Sequence, residues 1–237
     1  ATGMGCVQPK MFTVQQIAAM LPPPNVNSRP RRLASKPDAI LPWLFLGDHG
    51  SSVQYEQLVD LGITHVINVK GGHRTPPEPF DGQLTLLSHP LDDFGTSDVA
   101  AALEVCIEFI NAARDGGGKC LVHCAQGMNR SPSIVLGYLL CERTTRWTLA
   151  EAWAHVRTRR PLVSPLGAYF EQLQAIEMRA GGREEPTLSV ADAGIYVPPA
   201  KGASPAAANV DSTATMKGAG GDAAPSSPRR ADADNAP

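Results

Sequence analysis

The sequence predicts an α/β fold: a single domain with a central, mostly parallel twisted sheet flanked by helices. Two observations lead to this prediction. Short β-branched or apolar runs alternate along the chain with segments whose apolar residues recur at helical spacing. This alternation occupies residues 39–179, whereas both ends of the chain are rich in Pro, Ala, Gly or Ser. Strands that alternate with helices usually pair in parallel, with the helices packed on the faces of the sheet.

Each predicted element follows from its local pattern. Strands are predicted where β-branched or apolar residues run together, and helices where apolar residues recur every three or four positions. Gly and Pro mark most of the ends. In chain order we predict a strand over 39–46, a helix over 51–61, strands over 64–69 and 84–89 separated by a loop over 71–82, a helix over 98–113, a strand over 119–123, and helices over 132–142, 149–158 and 166–178.

The amino-acid composition at both ends of the chain predicts disorder. Residues 201–237 contain no aromatic residue, Leu or Ile, so they cannot bury enough apolar surface to offset the entropy lost on ordering. The N-terminal segment contains three consecutive prolines and an Arg-rich run. We therefore predict a disordered segment over 1–38, one domain over 39–179, and a disordered tail over 180–237.

Charge and cysteine content narrow the classes of function. The formal charge is +4 over residues 1–38, −4 over 39–179 and −2 over 180–237, which excludes a general nucleic-acid binder. No apolar run is long enough for a transmembrane helix. Five cysteines without a signal peptide favour a reduced, cytoplasmic or nuclear protein. Their spacing does not suit zinc, so we expect no metal and no cofactor.

The most informative segment lies between the strand over 119–123 and the helix over 132–142. It contains His123, Cys124, Arg130 and Ser131, with Gly127 inside the connecting turn. Backbone N–H groups of such a turn converge on an anion, together with the positive end of the helix dipole. The same field lowers a thiol pKa and makes Cys124 a nucleophile. Arg130 suits bidentate binding of phosphate oxygens. Pro132 fits the first position of the helix and Ser131 fits its cap.

This segment resembles the His-Cys-x5-Arg-Ser signature of protein tyrosine phosphatases. Further segments, over residues 40–47, 61–69, 130–138 and 152–173, are similar to dual-specificity phosphatases, and the resemblance covers nearly all of 39–179. It implies a phosphatase fold in which Cys124 is the nucleophile, Ser131 stabilises the departing thiolate and His123 orients the cysteine. The phosphate would be bound by the loop, namely Ala125, Gln126, Gly127, Met128, Asn129 and Arg130.

A phosphoenzyme mechanism also needs an acid that protonates the leaving oxygen. Asp92 and Asp93 stand in the loop before the helix over 98–113. In the dual-specificity subfamily the acid precedes the first apolar residue of that helix by about six positions. Counting back from Val99 identifies Asp93, and Asp92 is the alternative.

The resemblance implies a dual-specificity protein phosphatase whose partners are phosphorylated proteins and, further, kinases. Two alternatives stay open. The same chemistry can act on a phosphoinositide, an RNA 5′-triphosphate or a phosphoglucan, and a low-activity protein can serve as a phosphoprotein-binding scaffold.

Two weaker motifs complete the sequence analysis. Gly5 and Cys6 resemble an N-terminal lipidation site if Met4 is the initiator, which would attach the protein to a membrane. A run of three basic residues supports either a second anion site or a solvated helix end; it comprises Arg157, Arg159 and Arg160.

Overall fold

One five-stranded sheet forms the centre of the computed structural model, which describes residues 19–20, 36–70, 82–142 and 147–195. Its spatial order is β1-β2-β5-β3-β4, so β5 is the central strand. β1 is antiparallel to β2, and every other neighbouring pair is parallel. The predicted α/β fold with a mostly parallel sheet is therefore confirmed. The strands are β1 (Asp38–Leu41), β2 (Leu44–Asp48), β3 (Ile63–Lys70), β4 (Thr85–Leu91) and β5 (Lys119–Cys124).

Six helices lie within the described residues, and they cover both faces of the sheet. The longest begins at the cap Asp98, whose side chain accepts from the Ala101 N–H at 3.1 Å. The most buried helix follows β5 directly; only its last residue is not buried. The helices are α1 (His49–Ser52), α2 (Tyr55–Asp60), α3 (Val99–Asp115), α4 (Arg130–Cys141), α5 (Leu149–Arg159) and α6 (Gly167–Gly181).

Alternation along the strands divides the core between the two faces. In β5, Cys120 and Val122 contribute to a large apolar cluster with α3, α4, α5 and α6, whereas Leu121 points to the other face. There it meets Phe45 of β2 and Leu58 of α2 in a smaller cluster. This is the period of two expected for a strand buried on both faces. Packing on both faces holds the end of β5 in place.

The first predicted strand is wrong in one respect, because the structure divides it into β1 and β2. Pro42 and Trp43 form the turn between the two strands, and Leu41 pairs with Leu44 across it. Proline lacks the N–H that a central strand must donate, which makes this position a natural break. The single strand predicted over 39–46 is therefore an antiparallel hairpin.

The helix predicted over 51–61 is also two helices. Asp48 caps α1 by accepting from the Ser51 N–H at 2.8 Å. The hydroxyls of Ser51 and Ser52 then donate to the carbonyls of Asp48 and His49 within the same turn. Such local bonds compete with helical ones, which accounts for the early end of α1.

The described packing continues past the predicted domain boundary at residue 179. Ile195 is buried in the large cluster, and Thr187 donates through its hydroxyl to Glu177 of α6 at 2.6 Å. Glu177 is itself buried and accepts from the Leu149 N–H at the start of α5. Most of the predicted disorder over 1–38 and 180–237, and nearly all of the predicted loop over 71–82, lie outside the described residues.

Candidate active site

Cys124 is the last residue of β5 and stands at the carboxyl edge of the sheet. It pairs in register with Asp48 at the end of β2, and the preceding His123 pairs with Asn68 of β3. Ligand sites of open α/β sheets form at this edge. Cys124 is 2% exposed and His123 is fully buried. The thiol therefore lies at the base of the loop that follows β5.

Hydrogen-bond donors converge on the sulfur of Cys124. The Gly127 N–H and the Ser131 hydroxyl both lie 3.2 Å from Sγ. Burial raises the pKa of this thiol, but hydrogen bonds from the Ser131 hydroxyl and from the backbone N–H groups of Ser131, Gly127 and Gln126 outweigh it and leave the pKa below its ordinary value. The arrangement favours a thiolate, which is the nucleophilic form.

Gly127 is required by the shape of the loop. Its φ is +66°, a conformation that L side chains rarely adopt. A Cβ at this position would also lie 2.6 Å from the Gly47 carbonyl oxygen. The absence of a side chain thus allows the loop to close against β2.

The carbonyl groups of residues 125–129 all bind to surrounding elements. With these carbonyls occupied outside the loop, the N–H groups are turned toward its interior, where they form an anion-binding concavity. The donors are the His49 N–H to Ala125 (3.3 Å), Arg160 to Gln126 (3.1 Å) and to Gly127 (2.8 Å), the Ser164 N–H to Met128 (2.8 Å) and the Ser133 N–H to Asn129 (3.2 Å).

The six predicted phosphate-binding residues lie together in the structure. The side chains of Gln126 and Met128 are exposed. All six predicted phosphate-binding residues, 125–130, lie in this loop or at the helix start that closes it.

The start of α4 differs from the prediction. The helix begins at Arg130, two residues before Pro132, and Asn129 is its N-cap without a side-chain cap bond. The prediction that Ser131 caps the helix is wrong, because its hydroxyl is directed to Cys124 instead. The first N–H groups of a helix have no partner within it. At this helix start they add to the anion-binding field of the loop.

Arg130 is 6% exposed and lies beside Asp93. Its Nε is 3.2 Å from Asp93 Oδ1, although the N–H is not directed along that line, so the contact is an ion pair and not a hydrogen bond. The Asp93 side chain is 59% exposed. The structure thus brings the predicted nucleophile loop and the predicted acid together at one opening.

Asp92 has a different environment from Asp93. Its carboxylate accepts from the hydroxyls of Ser97 (2.6 Å) and Thr96 (2.8 Å), and from the backbone N–H groups of Phe94 (2.6 Å) and Thr96 (3.2 Å). Desolvation raises the pKa of Asp92, but these bonds lower it far more, to well below its ordinary value. Tyr169 donates to the Asp92 carbonyl at 2.7 Å. Asp92 organises the loop and remains charged.

Arg160 was not identified from the sequence as part of this site. It is 2% exposed, and besides the two loop carbonyls it contacts Asp38 at 2.7 Å and Asp48 at 3.3 Å. It therefore supports the outside of the loop and faces no solvent. Both sequence interpretations of this arginine, an anion site and a solvated helix end, are wrong.

The other two arginines of the run make local contacts. Arg157 donates to the Val163 carbonyl at 2.7 Å and lies over the ring of Trp153. Arg159 lies 3.0 Å from Nδ1 of His155. The three arginines thus point to different partners and do not converge on one anion.

The class of cysteine-based phosphatases has such a site: a buried cysteine at the end of a central parallel strand, with hydrogen bonds that lower its pKa and an arginine that follows the loop. The model of the family described as "Dual specificity phosphatase, catalytic domain" matches residues 44–179. The chain belongs to the dual specificity phosphatase family.

Individual relatives agree with this assignment. The chain is 35% identical over 164 residues to dual specificity protein phosphatase 1-A of Xenopus laevis, covering 67% of this chain and 43% of the relative. It is 36% identical over 153 residues to human dual specificity protein phosphatase 5, covering 65% and 38%. The crystal structure of human DUSP28 superposes with a TM-score of 0.56 at 30% identity, covering 68% and 97%. The chain thus spans about two fifths of these curated relatives.

The predicted lipidation site at Gly5 and Cys6 lies outside the described residues. Within the residues that are described, none of the helices combines the length and apolar character needed to cross a membrane.

Proposed function

We propose that the chain is a protein phosphatase that hydrolyses phosphotyrosine and phosphoserine or phosphothreonine through a phosphocysteine intermediate. The single observation that carries the proposal is the meeting of three groups at one opening. These are the Cys124 thiolate with its donors, the buried Arg130, and the exposed Asp93 at 3.2 Å from Arg130. Each has a separate task in phosphoryl transfer.

In the first step the Cys124 thiolate attacks phosphorus in line with the leaving oxygen. The S–P bond forms as the P–O bond to the substrate breaks, and protonated Asp93 gives its proton to the leaving oxygen. Arg130 and the loop N–H groups hold the equatorial oxygens, whose charge they stabilise throughout the transfer. Arg130 turns from Asp93 to the phosphate for this purpose.

In the second step water removes the phosphoryl group from sulfur. The Asp93 carboxylate takes a proton from water while the oxygen of that water attacks phosphorus, and the S–P bond breaks. The hydroxyl of Ser131, 3.2 Å from Sγ, stabilises the thiolate that leaves. Asp93 ends protonated, and the net reaction is hydrolysis of the phosphomonoester. An exposed carboxyl suits this role, since it must meet both a leaving group and water.

Charge at the opening supports a monoester of a protein side chain over a polyphosphate or an inositol lipid. A polyphosphate or a multiply phosphorylated ring needs several cations near the loop. Arg160, which contacts two carbonyls of the loop, is 2% exposed and is bound underneath the loop to Asp38 and Asp48. Asp93 beside Arg130, and the exposed side chains of Phe94 and Met128 in the two loops, suit the less charged surface of a peptide.

A substrate panel tests the proposal. Purified protein is assayed with phosphotyrosine and phosphothreonine peptides of the same sequence, a phosphoinositide, a phosphoglucan and an RNA 5′-triphosphate. We expect turnover of both peptides. For the phosphoinositide, the phosphoglucan and the RNA 5′-triphosphate we expect kcat/KM to be at least about tenfold lower than for the peptides, which is the factor that one additional ion pair would supply. Preference for any non-protein substrate would assign the chemistry to that class. Phosphopeptide binding without turnover would assign the chain to the scaffold class.

A further inference from the structure

Asn129 connects the phosphate loop to two other elements. Its side-chain Nδ2 donates to Asp93 Oδ1 at 3.0 Å, and its Oδ1 accepts from the Leu166 N–H at 2.9 Å. The orientation of the amide is unambiguous, because a carboxylate only accepts and a backbone N–H only donates. One side chain therefore joins the acid, the phosphate loop and the start of α6.

We propose that Asn129 is the positioning residue for the general acid, which it ties to the opening of the phosphate loop. The inference rests on the proposed function, since it concerns how Asp93 delivers its proton. Asn129 itself does not touch the reacting atoms.

Asp93 requires such a tether because its side chain is 59% exposed in the connection between β4 and α3. Its other contact at the site is the ion pair with Arg130, which is lost when Arg130 turns to a bound phosphate. The bond from Asn129 can persist through that change. Since Asn129 directly precedes Arg130, it holds the acid in a fixed relation to the groups that bind phosphate, and orientation of this kind lowers the barrier to proton transfer.

The tether also selects the oxygen that carries the proton. When Asp93 is protonated, the oxygen that accepts from Asn129 is the carbonyl oxygen, so the proton resides on Oδ2. Oδ2 is then the atom that faces the leaving group. A free carboxyl would distribute the proton over both oxygens and several rotamers.

The second bond of Asn129 anchors the tether. Leu166 is the N-cap of α6 and has no side-chain cap bond. Asn129 Oδ1 supplies the acceptor that the Leu166 N–H would otherwise lack at the helix start. Serine is too short to reach both partners at once, so N129S should lose most of the effect and N129A all of it.

The first experiment compares two substrates that differ in their need for an acid. Phenyl phosphate releases a phenol with a pKa of about 10, whereas p-nitrophenyl phosphate releases a more acidic phenol. The measured quantity is the kcat/KM for phenyl phosphate divided by the kcat/KM for p-nitrophenyl phosphate. We expect N129A to lower this ratio about tenfold, because a misplaced acid loses part of the rate enhancement that general-acid catalysis provides. Q174A is the matched control, because Gln174 is an amide of α6 whose side chain donates to the Leu188 carbonyl at 2.8 Å, and we expect its ratio to equal that of the wild type.

A double-mutant cycle decides whether Asn129 acts through Asp93. In a D93N background the substitution N129A should leave the ratio unchanged, since the acid is already absent. A reduction by the same factor in both backgrounds would overturn the proposal. So would an equal loss on the two substrates in the single variant, which would indicate only a general distortion of the loop.

A third measurement does not depend on activity. Amide hydrogen exchange at Leu166 should be faster in N129A than in Q174A, because only N129A removes the acceptor. Equal exchange in the two variants would refute the tether even if the wild type hydrolyses phosphate esters. Conversely, faster exchange in N129A combined with an inactive wild type would retain the tether and reject the proposed function.

Discussion

The phosphate loop and the acid loop meet at one opening but are built in opposite ways. Residues 124–131 are held from outside by backbone and arginine donors, and both Cys124 and Arg130 are at most 6% exposed. In the connection over residues 92–98, by contrast, the Asp93 side chain is 59% and Phe94 is 84% exposed. The nucleophile and the arginine of one region are buried, whereas the acid of the other region is exposed.

The difference follows from what each region has to do. Stabilisation of the charge on a transferring phosphoryl group requires dipoles that are fixed before the reaction and shielded from water. Delivery of a proton to substrate, followed by removal of one from water, requires a group that both can reach. The tether from Asn129 reconciles the two, since it fixes an exposed group to a buried frame.

Removal of the nucleophile tests the buried region most severely. We expect C124S to lower kcat by on the order of 10⁴-fold or more, because a serine hydroxyl at this site remains protonated. Binding of inorganic phosphate, measured by calorimetry, should persist, since the loop donors remain. C141S is the matched control, since Cys141 lies at the far end of α4, the helix that follows the loop. Comparable turnover in C124S and C141S would exclude a phosphocysteine.

Loss of the support beneath the loop should have the next largest effect. R160M leaves the carboxylate of Asp48, which is 1% exposed, without its cation and frees the two loop carbonyls. Breaking a buried pair in this way costs about 3–5 kcal/mol, and urea unfolding measures the loss.

Its control is R157M, in the helix that Arg160 ends, where an exposed arginine loses one hydrogen bond to the Val163 carbonyl and its contact with the Trp153 ring. We expect R157M to lose about 1 kcal/mol. If both variants unfold at the same urea concentration, Arg160 does not support the loop.

Variants of the neighbouring Asp92 and Asp93 distinguish the residue that organises the exposed loop from the residue that transfers the proton. D93N should lower kcat/KM for phenyl phosphate about 10²-fold, because no carboxylic acid is left to protonate the leaving oxygen. D92N should lower activity less at every pH, since Asp92 is kept ionised by its hydrogen bonds. A larger loss of kcat/KM in D92N than in D93N would reverse the assignment.

The phosphate loop could be predicted from the sequence because its working groups are adjacent in the chain. Cys124, Gly127, Arg130 and Ser131 lie within eight positions between a strand and a helix, so local geometry alone brings them together. The choice of Asp93 over Asp92 came from resemblance. No periodicity separates two neighbouring residues of a loop, and only the hydrogen bonds of Asp92 supply a physical reason.

Arg160 could not be predicted because its partners are set by tertiary packing. It follows Gly127 by 33 positions and Asp48 by 112, and a basic run at a helix end ordinarily indicates a solvated surface. The bridge from Asn129 depends in the same way on where α6 begins in space. A weak sequence signal did exist, namely that an arginine followed by Pro161 cannot continue an exposed helix.

The smallest predicted effect concerns the pH at which the buried region becomes reactive. The hydroxyl of Ser131 lowers the pKa of Cys124, so S131A should raise that pKa. Because the thiolate fraction grows as pH rises through this pKa, the acid limb of kcat/KM should move to higher pH in S131A. At a pH below the limb we expect a loss of about tenfold, the size of one hydrogen bond to a charged group.

Inactivation by iodoacetate, measured against pH, reports the same thiolate without phosphate chemistry and should shift in the same direction. S133A is the matched control, because Ser133 is buried in the same helix and donates to the Asn129 carbonyl instead of the sulfur. If the limb moves equally in both variants, the shift comes from the start of α4 and not from the hydroxyl. If the limb moves only in S131A, the stability of the thiolate depends on one side chain, in a site whose other donors to sulfur are backbone N–H groups.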